Sequence, residues 1–105
     1  MPEPVIVTAE FTPRPGCRDA LVAALRIAIA DVHEEEGCLL YALHGASDDM
    51  ILMIEKWSST AALDAHAAGE AVARLDASIA ELIASPVVVR RFAAIPAGTG
   101  SQGAL

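Results

Sequence analysis

The chain has 105 residues, enough for one domain, and 54% of them are hydrophobic although only four are aromatic: Phe11, Tyr41, Trp57 and Phe92. Fourteen acidic residues against seven basic ones give a net charge of −7, which repels phosphate backbones and excludes nucleic acid as a partner. No apolar run approaches the ~20 residues of a membrane span, and Met1-Pro2-Glu3-Pro4 lacks the basic n-region of a secretory leader. The expectation is a cytoplasmic domain with no membrane partner.

Val5 to Phe11 is short, apolar and β-branched, and Thr12-Pro13-Arg14-Pro15-Gly16 ends it, which predicts a strand and a turn. From Arg18 to about Glu35 the period changes: Leu21, Leu25, Ile29 and Val32 recur at helical spacing, with Asp19 favourably placed in the first turn and Gly37 closing the helix. Leu39 to Gly45 and Met50 to Trp57 read as strands joined by a hairpin turn at Ala46-Ser47-Asp48-Asp49. Ser58-Ser59-Thr60 offers N-caps for a short helix reaching about Ala68. After Gly69 a second stripe, Val72, Leu75, Ile79 and Leu82, continues toward Ser85-Pro86. Val87 to Ile95 is the last strand, so residues 1–95 form the domain and 96–105, rich in glycine, form a flexible tail.

The order β-α-β-β-α-β, its second helical segment split, predicts an α+β fold: a ferredoxin-like antiparallel sheet with helices on one face. Every strand is apolar on both sides, so the other face needs a cover. A second copy of the same sheet is the simplest one, which makes a homodimer the expected working form.

Pro15-Gly16, Glu36-Gly37-Cys38 with Tyr41 three residues on, Glu55-Lys56-Trp57, Ala62-Leu63 and His66 together resemble the antibiotic biosynthesis monooxygenase (ABM) family, over about Val5 to Ile95. The resemblance implies a dimeric α+β barrel with a pocket between sheet and helices in each subunit. It also implies oxidation of a small quinol or polyphenolic, polyketide-like aromatic by O₂ with no metal or flavin cofactor. A haem-degrading branch and members without established activity also belong to this resemblance. Two branches use an asparagine, and this chain has none; the corresponding positions hold Ala9 or Glu10, and Met53.

His66, three residues after Leu63, is predicted to point inward, where a neutral imidazole could take a proton from a phenol or quinol. The bland alternative is a histidine at the core edge. Trp57 could stack on a flat substrate or simply fill the core, and Glu55, on the same strand face, could orient His66, act as a base or pair with an arginine. With the hairpin centred on Asp48-Asp49, His44 faces Met53 and shares the face of Glu55 and Trp57, while Tyr41 lies opposite with Leu39 and Leu43. His44, Tyr41 and Met53 are the candidate substrate contacts. His33, beside Glu34, Glu35 and Glu36, reads as part of a solvated face. Cys17 and Cys38 read as reduced thiols, and the three histidines lack metal-ligand spacing. Arg74, Arg90 and Arg91 could meet an anionic substrate, but surface ion pairs are the simpler reading. A non-catalytic dimeric module for a small apolar ligand is the competing functional expectation, and a haem-degrading monooxygenase a third.

Overall fold

The β-branched opening run forms β1 (Val5–Phe11) in a computed structural model that describes residues 3–105. Met1 and Pro2, the head of the segment read against a leader, lie outside the described residues. There follow α1 (Arg18–His33), β2 (Cys38–Gly45), β3 (Ile51–Trp57), α2 (Thr60–Ala67), α3 (Glu70–Ile79) and β4 (Val88–Ala93). The strands pair antiparallel in the order β2-β3-β1-β4, the ferredoxin-like arrangement expected from the element order. Val7, Ala9 and Phe11 of β1 and Ile51, Met53 and Trp57 of β3 point to the helices, where they meet Leu21, Leu25 and Val32 of α1, Leu63 of α2 and Leu75 and Ile79 of α3. Among the described residues, no helix is long and apolar enough to cross a membrane.

Three local readings change. The β2–β3 hairpin pairs Gly45 with Ile51 and closes on a three-residue loop: Ala46 N–H donates to Met50 O at 2.9 Å, and Asp49 N–H donates to Ala46 O at 3.2 Å. Asp49 takes φ +70°, the left-handed conformation that a type I turn followed by one αL residue requires. An odd loop moves the register by one residue, so His44 pairs with Leu52 and Tyr41 pairs with Glu55. His44 therefore lies on the sheet face away from Glu55 and Trp57, and Tyr41 lies on theirs, the reverse of the even-loop expectation.

The second helix stripe stops at Ile79, short of Leu82. The backbone there is diverted to β1's end: Arg14 N–H donates to Leu82 O and Ala84 N–H to Thr12 O, both at 2.8 Å. α1 likewise ends at His33, and Gly37 does not close it. Instead Cys38 N–H donates to Glu35 O at 3.2 Å across a four-residue turn in which Gly37 sits at φ +83°. The Gly37 carbonyl also accepts from Ser58 N–H at 2.8 Å. In the tail, Gly103 N–H donates to Thr99 O at 2.8 Å, and Lys56 Nζ reaches the Leu105 carbonyl.

A Cβ at position 37 would lie 2.5 Å from Ala62 Cβ and 2.6 Å from Ser58 Oγ, in a conformation L-residues avoid. Gly37→Ala is expected to cost about 2 kcal/mol, a fall in Tm on the order of 10 °C in thermal unfolding. An unchanged Tm would show that the turn relaxes freely.

Candidate active site

On β3 every second residue faces the helices, and the third of these is a glutamate. Glu55 is the acidic side chain of the buried strand face, with 6% of its side chain exposed. Trp57, two residues on and fully buried, donates its indole Nε1–H to Glu55 Oε1 at 2.9 Å. Burial pushes the Glu55 carboxyl above its usual range; the Trp57 hydrogen bond and a charged His66 pull it down, and Glu35 adds to the rise.

Ser59 starts α2 with its hydroxyl accepting from Ala62 N–H at 3.1 Å, a cap that fixes where the helix begins after β3. Six residues in, His66 comes over the indole, ring centroids 4.4 Å apart and planes tilted by 31°. Tyr41 meets the imidazole edge-on at 5.5 Å. His66 Nδ1 lies 2.7 Å from Glu35 Oε1, and Nε2 lies 3.9 Å from Glu55 Oε1. With Nδ1–H donating to the Glu35 carboxylate, the lone pair rests on Nε2. Among the described residues, no buried side-chain nitrogen or oxygen lacks a hydrogen-bond partner. Nε2, which makes no hydrogen bond, is therefore open rather than sealed in.

It opens beside a cavity of 310 Å³ between the sheet and α2–α3, lined by Val7, Ala9, Phe11, Leu63, Val72 and Leu75 and by the polar groups of Tyr41, Glu55, His66, Asp76 and Arg91. An apolar pocket with a few convergent polar groups is the ordinary form of a small-molecule site. The Tyr41 hydroxyl is raised well above its usual value, by burial first and then by Glu55, Glu35, Cys38 and Asp76; like any tyrosine it carries its proton, and can donate it in a hydrogen bond, at neutral pH.

His66, Glu55 and Tyr41 thus come together at the cavity wall. Trp57 and Met53 are fully buried and do not line it. The indole cannot serve as a substrate platform there; it holds Glu55 and backs the imidazole. His44 stands on the other face, beside Arg18 and Leu43. Glu35, read in sequence as one of three solvated glutamates, is the partner that was missed; the turn it opens, marked by Gly37, was its available signal. His33 is exposed, yet its Nε2 lies 3.0 Å from the Tyr41 carbonyl. Arg74 pairs with Asp31 and Glu70, and Arg91 with Asp64, while Arg90 stacks over Phe92 instead. Both cysteines are free, and burial, then Glu35 and Glu55, raises the Cys38 thiol. Among the described residues, no group of three or more His, Cys, Asp or Glu is placed to hold a metal ion.

Residues 4–77 match the family model described as antibiotic biosynthesis monooxygenase. The chain belongs to the ABM family. It is 37% identical over 90 residues to Rv0793 of Mycobacterium tuberculosis, a protein carrying the name "Putative monooxygenase", covering 85% of this chain and 89% of that one. The solved structure of Rv0793 superposes with a TM-score of 0.84 at 34% identity, over 92% of this chain and 100% of the other. PA3566 from Pseudomonas aeruginosa superposes with a TM-score of 0.81 at 31% identity, over 90% and 97%. SO0527 from Shewanella oneidensis gives 0.79 at 28%, over 88% and 91%. This ABM domain therefore has relatives with the same sheet and helices along nearly its whole length.

The raised Glu55 carboxyl carries a sign that stability can read. The native state holds this proton at pH values where the unfolded chain has released it. That contribution is full below about 4.5 and is lost as pH rises through the folded value. Glu55→Gln keeps an acceptor for Trp57 and removes the slope. Denaturation midpoints from pH 4 to 8 are expected to diverge in favour of the variant as pH rises, and parallel curves would contradict a protonation-sensitive Glu55.

Proposed function

We propose that the protein is a cofactor-independent monooxygenase oxidising a small quinol or polyphenolic, polyketide-like aromatic with O₂, in which His66 Nε2 is the base. The observation that carries this reading is one buried imidazole, tied through Nδ1 to Glu35, with its free nitrogen beside an apolar cavity. ABM membership supports it.

A phenol or quinol hydroxyl placed at Nε2 gives up its proton, and the anion left behind is electron-rich enough to reduce O₂. Tyr41 donates to a substrate oxygen. Glu55, held by Trp57, faces the imidazolium that forms and stabilises it. The electrons balance without a cofactor: quinol plus O₂ gives hydroxyquinone plus water, one oxygen atom entering the ring and the other leaving as water. The substrate supplies all four electrons. The two free thiols support a reducing, cytoplasmic setting.

Oxygen uptake with a panel of benzenoid and naphthalenoid quinols, with and without chelator, tests the reaction. His66→Ala is expected to cut kcat about 10²–10⁴-fold while the circular dichroism spectrum stays native. Ligand binding without oxygen consumption would replace this reading with a binding module, and a Soret band on adding haemin would point to haem chemistry.

The working unit in this proposal is a homodimer, with a second copy covering the sheet face opposite the helices. Leu40, Leu52, Ile54, Val88 and Phe92 share that face by register, and Val88 and Phe92 are exposed. Sedimentation equilibrium is expected to give twice the chain mass, and Ile54→Lys to give the monomer. A monomeric wild type would remove the dimer from the proposal.

A further inference from the structure

His66 stands between two hollows. One is the cavity bounded by Glu55. The other is a surface cleft of 430 Å³ between the end of α1 and the α2–α3 corner, lined by Asp31, Glu34, Glu35, Glu36, Glu70 and Arg74. Glu55 borders only the cavity, Glu35 only the cleft, and His66 borders both. The two ring nitrogens divide the same way: Nε2 is nearest Glu55, and Nδ1 is hydrogen-bonded to Glu35 at 2.7 Å. Only 7% of the His66 side chain is exposed, whereas 26% of the Glu35 side chain is. A proton arriving at Nε2 from the cavity has a continuous hydrogen-bonded way out on the opposite side of the ring.

We infer that Glu35 is a proton relay joining the buried His66 to solvent through the acidic cleft, so that the imidazole exchanges protons while an aromatic ligand fills the cavity. Its use in turnover rests on the reading of His66 as the base. The O–H bond of the substrate breaks as Nε2–H forms, Nδ1–H breaks as Oε1–H forms on Glu35, and the carboxyl passes the proton to cleft water. The later reduction of O₂ takes a proton back by the reverse route, so water formation stays balanced. A filled cavity keeps water from Nε2, and the cleft remains the open side. Arg74 ties up Asp31 at 3.3 Å and Glu70 at 3.7 Å, leaving Glu34 and Glu36 as carboxylates that raise the local proton concentration at the mouth. Tyr41 packs on the ring edge and donates nothing along this line.

Glu35→Gln keeps an oxygen to accept from Nδ1–H and cannot carry a proton. The exchange rate of the His66 ring N–H with water, read by NMR on the full chain labelled with ¹⁵N-histidine and saturated with naphthalene as a redox-inert aromatic filling the cavity, is expected to fall at least tenfold in this variant. Added formate is expected to restore it and to leave the wild type unchanged. Equal rates in variant and wild type would overturn the relay. Oxygen uptake separates the two ideas: slowed exchange with kcat lowered at least tenfold at unchanged KM supports both. Slowed exchange with unaltered turnover would uphold the relay and overturn His66 as the base.

Discussion

Taking a carboxylate out of water costs several kcal/mol, and the rest of this site is arranged around the partial answer to that cost at Glu55. One charge-assisted hydrogen bond from Trp57 returns about 1.5–3 kcal/mol, less than the desolvation it offsets, so the Glu55 carboxyl sits above its usual range. The bond is possible because residues two apart on a strand share a face, and because helices cover that face. The same cover brings His66 onto the indole. A change in the length of the β3–α2 connection would rotate the imidazole off Trp57 and break its tie to Glu35, since the Ser59 hydroxyl fixes the helix start by accepting from Ala62 N–H.

The elements were legible in the chain because their signals are local. The β-branched run of β1, the stripe Leu21-Leu25-Val32 of α1 and the serine cap of α2 each need no knowledge of the rest. The faces of β2 were not, because parity is a property of the loop rather than of the strand. Cys38 to Gly45 is apolar on both sides, so hydrophobic alternation does not select one register. Asp49 decided it by accepting φ +70°, a conformation aspartate tolerates better than most residues without the stronger glycine signal. The consequence was a swap of Tyr41 for His44 at the site. Likewise the helix after Gly69 lost its last turn to backbone pairing with Thr12 and Arg14, which no periodicity in that segment could reveal.

Glu34, Glu35 and Glu36 show the limit in another form. Composition makes all three solvated, and what singles out Glu35 is the turn that Gly37 allows directly after it. The left-handed glycine carries no side chain into Ala62 and Ser58, so the turn packs against the start of α2 and its first residue faces His66. A position chosen for backbone reasons thus orders a side chain that electrostatics alone would have left in water.

The absence of asparagine acquires a physical meaning at the cavity. Ala9 lines the cavity and Glu10 points to the other sheet face, while Met53 is sealed behind the wall. An amide at either implied position is thus replaced by apolar surface or by a residue out of reach. The donors that remain are the Tyr41 hydroxyl, the protonated form of His66 and Arg91, and the last is held by Asp64 at 2.9 Å. In the proposed reaction, ground-state recognition of a substrate oxygen then falls to the Tyr41 hydroxyl at the cavity wall. His66 becomes a donor only after it has taken a proton. In the proposed reaction such a wall would bind a neutral phenol less tightly than the anion that faces a protonated His66, and a difference of that sign between ground state and reacting state is what accelerates a reaction begun by deprotonation.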